Sequence, residues 1–209
     1  ESMVHRVVLS SDIGSVIQGT IWLYALYGGA MAGLFEETGR FIAFKTVLRK
    51  RQDKDANALM YGAGHGGFEA AMLLGITMIN NLVYSMMINS GNVAALTESL
   101  PADRITQIVM AVQELIAAPP YQFLLGGAER IFAVTMQISL SVLVWFSAKK
   151  QGSRHLYPLA ILIHLVADAL PIMLSGIGMP VVLVEAVIGI MAVLVAVYAK
   201  RVWDAEASA

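Results

Sequence analysis

Five nearly uninterrupted apolar stretches, approximately residues 14 to 48, 58 to 88, 121 to 148, 156 to 175 and 180 to 199, decide what this chain can fold into. Each could cross a bilayer, for which about 20 residues are needed. Only helices and closed barrels satisfy their own backbone in lipid, and alternation with a period of two is absent, which removes the barrel. The expected fold is therefore all-α, a polytopic transmembrane bundle of about five spanning helices. Composition agrees, because 14% charged residues, against about 25% in an ordinary soluble domain, are too few to cover a water-facing globule. A sixth segment, residues 101 to 118, opens at Pro101-Ala102-Asp103 and ends before Pro119-Pro120. Ile105, Ile108, Val109, Val112, Leu115 and Ile116 fall on one side of it, as in an amphipathic helix lying on the membrane surface.

No repeat or linker divides the chain, so residues 1 to 209 are read as one integral-membrane domain. Its start at Glu1, with neither Met nor a basic-then-apolar leader, suggests an N-terminally shortened product. A net charge of -1 offers no basic field for nucleic acid. The absence of Cys removes disulfides and thiolate chemistry, so any metal must sit on His and carboxylates. Arg49, Lys50, Arg51 and Lys54 share one connection, Lys149, Lys150 and Arg154 a second, and Lys200 and Arg201 follow the last span. The positive-inside rule puts all three clusters, and the C-terminus, on the cytoplasmic side of the cell membrane.

Ionisable residues inside apolar spans cost a few kcal/mol or more when they face lipid, so they must face one another or water. Three groups stand out. Arg40 lies one turn from both Glu36 and Glu37, can neutralise one, and leaves one carboxylate for chemistry. His65 and Glu69 are an i,i+4 pair within Gly62-Ala63-Gly64-His65-Gly66-Gly67, whose missing side chains would let another helix approach the imidazole. His164 and Asp168 repeat the spacing, so the carboxylate can fix the imidazole tautomer or share a ligand role. Counted back from the basic clusters at about 1.5 Å per residue, all seven groups reach similar depth, and so does Gln137. Glu129 and Arg130 lie towards the other end of their span and read as a structural pair. Gly29-Ala30-Met31-Ala32-Gly33 reads as helix packing, and the 12 Met as lipid-facing or core filler.

Interhelical hydrogen bonding alone does not need so many costly groups. A hydrolase uses a carboxylate and an imidazole to activate water, with or without a metal. A proton- or ion-coupled transporter uses buried carboxylates and His too, usually with broken helices or internal repeats, and none are visible here.

Four motifs occur in order: Glu36-Glu37-Thr38-Gly39-Arg40, Tyr61-Gly62-Ala63-Gly64-His65-Gly66-Gly67-Phe68-Glu69, Ser141-Val142-Leu143-Val144-Trp145, and His164-Leu165-Val166-Ala167-Asp168. With them the chain resembles the YhfC family of bacterial intramembrane proteases, related to the CPBP and PrsW families and to the type II CAAX prenyl endopeptidases. The resemblance implies a glutamic- or metallo-type peptidase sunk from the cytoplasmic face, acting on a peptide or membrane-protein substrate among membrane lipid. Glu36 would be the general base with His65 beside it, and His164, held by Asp168, would stabilise the oxyanion or ligate a metal. Glu37 would pair with Arg40 or join His65 and His164 as a ligand. A divalent metal such as zinc and a metal-free route both suit this residue set.

Overall fold

The computed structural model describes residues 2–98 and 101–207, and among these there is no strand. Nine α-helices follow in order: α1 (Ser2–Leu9), α2 (Asp12–Gln18), α3 (Ile21–Lys45), α4 (Ala56–Ala70), α5 (Ile76–Asn89), α6 (Ala102–Ala117), α7 (Tyr121–Lys149), α8 (Leu156–Gly176) and α9 (Val181–Glu206). The helical membrane bundle read from hydropathy is what the chain forms.

Four helical segments are long and apolar enough to cross a membrane: Ala56–Asn89, Tyr121–Lys149, Gln151–Gly176 and Val181–Glu206. The first joins α4 to α5 through a π-helical segment, Ala71–Gly75. Instead of the single first stretch expected over residues 14 to 48, the chain breaks at Gly19 and Thr20, where Gly19 closes the short α2 and the extended Thr20 precedes α3. At 25 residues α3 has a spanning length, but Glu36, Glu37 and Arg40 within it make it less apolar than those four.

The chain forms two compact units, residues 1–66 with 131–209, and residues 67–130. In the first, the core is the inner part of α7, where Leu140, Leu143, Val144, Trp145 and Phe146 are fully buried. Phe44 of α3 meets Trp145 and Tyr61 edge to face, and Phe146 meets Trp203 of α9 likewise, geometries that aromatic quadrupoles favour. Asp55, just before α4, accepts from the Trp145 indole N–H and from Lys149 Nζ, both at 2.7 Å, while its carbonyl takes the Ala58 N–H. This ties the start of α4 to the end of α7, and neither Asp55 nor its partners stood out as a set in the sequence. In the second unit, α6 covers Val112 and half-covers Ile105, Ile108 and Leu115, while Arg104, Gln107, Gln113 and Glu114 are exposed. The helix expected is there, but Val109 and Ile116 of its apolar side are exposed rather than covered, and the Asp103 side chain at its start lies outside the described residues.

Candidate active site

Two close helix crossings build the site, and glycine makes both possible. On α3, a Cβ at Gly29 would lie 2.4 Å from the Leu165 carbonyl oxygen and one at Gly33 2.7 Å from that of Ile161, so α3 lies against α8 at backbone distance. On α4, a Cβ at Gly62 would lie 2.5 Å from Ile138 Cα and one at Gly66 2.9 Å from Gln137 Cβ, which brings α4 equally close to α7. Both pairs are spaced small-xxx-small, the pattern that lets membrane helices touch. The first crossing sets Glu37 against His164, and the second sets His65 and Gln137 beside Glu36.

Glu37 is fully buried and Arg40 is 1% exposed. Arg40 Nη1 donates to both Glu37 oxygens, at 3.0 and 2.9 Å, and its Nη2 donates to Gln137 Oε1. Gln137 Nε2 donates in turn to Glu36 Oε2 at 3.1 Å. The same Glu36 oxygen lies 3.0 Å from His65 Nε2 and 3.8 Å from His164 Nε2. His164 closes the ring, with Nδ1 2.7 Å from Glu37 Oε1. Four helices, α3, α4, α7 and α8, thus contribute to one closed polar circuit in which buried charges are paired, as low-dielectric surroundings demand.

The circuit fixes which His164 nitrogen faces which carboxylate. A buried carboxylate that accepts from Arg40 also accepts from His164, so Nδ1 carries a proton, and Nε2 is the nitrogen turned towards Glu36. The partner at Nδ1 is Glu37, whereas Asp168, expected in that place, has its Oδ2 3.6 Å from the other nitrogen, Nε2. Tyr61 stacks on the His65 ring at 6.2 Å with planes 9° apart, and steadies it from one turn away on α4. Glu69 follows His65 by one turn of α4. Glu129 and Arg130 bond to one another, as a structural pair would.

A divalent cation suits these donors. Two donors on one tetrahedral zinc at about 2.0–2.2 Å stand about 3.4 Å apart, so Glu36 Oε2, 3.0 Å from His65 Nε2 and 3.8 Å from His164 Nε2, could share a cation with either imidazole. Two imidazoles and one carboxylate are also a common protein set at catalytic zinc, where the fourth position is left open. Both oxygens of Glu37 face Arg40, and one also faces His164, so Glu36 is the better-disposed carboxylate for that purpose.

Gln137 stood out in the sequence only by its depth, because an uncharged amide in a helix carries no signal of its own. The i,i+4 pairs and the Glu-Glu-x-x-Arg element drew attention to the other members.

A family model described as YhfC intramembrane metalloprotease matches residues 1–197. A Bacillus subtilis (strain 168) chain named "Uncharacterized membrane protein YhfC" is 37% identical over 213 residues, covering 98% of this chain and 80% of that relative. No solved structure matches.

Proposed function

The chain belongs to the YhfC intramembrane metalloprotease family, and on that premise we propose that it hydrolyses peptide bonds of membrane-embedded peptides or proteins, with Glu36, His65 and His164 as the working centre. The observation that carries this reading is the single point where Glu36 Oε2 meets the Nε2 atoms of both imidazoles. His65, His164 and Glu36 would hold the cation, in preference to the set with Glu37. Zinc, when bound, supplies Lewis-acid polarisation of water and of the scissile carbonyl.

The chain's own residues do the rest. Glu36 is 26% exposed and His65 32%, so water and substrate can reach them from outside the protein. With Oε2 turned to the two imidazoles, the other oxygen of Glu36 accepts the proton of the attacking water and returns it to the departing amine, the general acid–base role that suits a positioned carboxylate. Glu37 keeps the proton of His164 on Nδ1 and so keeps Nε2 free to bind. Arg40 neutralises Glu37 without touching Glu36 directly, which leaves Glu36 as the carboxylate for chemistry. Asp168, with Oδ2 3.6 Å from His164 Nε2, adds negative charge on the open side of that imidazole. Basic residues at 49–54 and 149–154 support an opening towards the cytoplasm.

The test is cleavage of single-span reporter proteins in liposomes, with zinc content measured in parallel. Glu36→Gln keeps the shape and removes the proton acceptor, so cleavage is expected to fall by about a hundredfold or more with expression unchanged. Chelation should abolish cleavage and added zinc restore it. Full activity in both Glu36→Gln and His65→Ala, or a wild type that moves protons and cleaves nothing, overturns this reading.

A further inference from the structure

Gln137 is 5% exposed and sits where no charge is needed, yet both ends of its carboxamide bond to ionisable groups. An amide in a protein can usually be turned end for end without contradiction. Here chemistry decides the orientation. Arg40 has donors only, so the amide oxygen must face it. An ionised Glu36 has acceptors only, so the NH2 must face Glu36. Arg40 thereby reaches both glutamates, Glu37 by direct contact and Glu36 through a neutral relay. The distinction matters because a charge-assisted bond is roughly twice as strong as a neutral one. Arg40 in direct contact would bind the Glu36 carboxylate too firmly for it to take up protons or ligands, whereas an amide N–H aims it without cancelling its charge.

We propose that Gln137 is a positioning residue, whose Arg40-oriented amide holds Glu36 Oε2 at the meeting point of the His65 and His164 imidazoles. The proposal rests on the assignment of Glu36 as the working carboxylate. Its place on α7 fits the role, because Gly62 and Gly66 bring α4 against the same turn of α7 and thus fix His65 relative to the amide.

Two variants separate positioning from packing. Gln137→Glu keeps an acceptor for Arg40 and loses the N–H towards Glu36; Gln137→Met keeps the length and loses both. The readouts are kcat and KM on the reporter, zinc affinity by competition with a chelator, and heat stability of the full chain. Gln137→Glu should still fold, with heat stability lowered by the carboxylate it sets against Glu36, and keep KM within about twofold, while kcat and zinc affinity each fall by about 10- to 100-fold, the usual loss when a partner that orients a ligand is removed. Gln137→Met should show the same losses with lower stability. Wild-type kcat and zinc affinity in Gln137→Glu overturn the proposal, as does a destabilised Gln137→Met whose folded fraction cleaves at the wild-type kcat. A wild type that binds zinc but cleaves no reporter counts against the protease reading alone, and zinc affinity then decides the role of Gln137.

Discussion

The two halves of the site are built from adjacent residues and differ in access. Glu37, Arg40 and His164 are 0%, 1% and 4% exposed, and Gln137 beside them 5%. Across the ring, the side chains of Glu36, His65 and Asp168 keep 26%, 32% and 43% of their surface. Successive residues of a helix point about 100° apart, so one turn of α3 delivers Glu37 into the α3–α8 crossing and Glu36 to its edge. The buried half is a framework, with carboxylate, guanidinium and imidazole each bonded to another member, Arg40 Nε alone of these donors left without a partner among the described residues, and the desolvation cost offset by several bonds at once. The open half leaves the same kinds of groups partly exposed. The contrast shows how one dipeptide can supply both a buried and an accessible carboxylate, provided that a helix crossing separates them.

Three substitutions would break or sharpen that contrast. The largest effect belongs to the buried half: Arg40→Met strands Glu37 inside the protein and should cost about 3–5 kcal/mol, read as loss of folded protein in detergent. A variant that stays stable and merely loses activity would show that Arg40 is not framework. Next comes the second crossing, where Gly62→Ala places a Cβ 2.5 Å from Ile138 Cα. Because backbone has to move, about 1–3 kcal/mol should be lost, and His65 should shift relative to Glu36, lowering zinc affinity. If heat stability and zinc affinity both match wild type, the crossing is looser than its geometry indicates. The smallest change is expected at the open edge. Asp168→Asn removes a charge from a side chain that is 43% exposed, and stability should stay within about 0.5 kcal/mol. A loss comparable to that of Arg40→Met in the same unfolding measurement would erase the difference between the halves.

Much of this was legible in one dimension, for reasons that differ from residue to residue. Apolar runs of spanning length force helices on the chain because lipid offers the backbone no other partner, and α4 to α9 lie where hydropathy put them. The Gly29-x-x-x-Gly33 packing motif and the small residues around His65 foretold close approach, since a missing Cβ is a property of the sequence. Charged residues within apolar segments had to congregate, as solitary charges in lipid are too costly. The break at Gly19 and Thr20 escaped notice because Gln18, Gly19 and Thr20 interrupt the apolar run only briefly, and Thr20 makes no side-chain cap that would announce a new helix.

Which groups would meet was left to tertiary structure. Sequence spacing puts Arg40 within reach of Glu36 and Glu37 alike, and only the α3–α8 crossing selects Glu37, because that carboxylate turns inward and needs a counter-charge. Spacing likewise offers Asp168 to His164, yet Glu37, 127 positions away, takes its Nδ1. Asp55 and Trp145, 90 positions apart, and Gln137 and Glu36, 101 apart, bond across helices that no local pattern relates. The sequence alone determined that costly polar groups must find one another inside the bundle, because lipid penalises each of them wherever it sits. Which atom faces which depends on helix rotation and on crossing distances of a few tenths of an ångström, and those are set only when the whole set of helices packs.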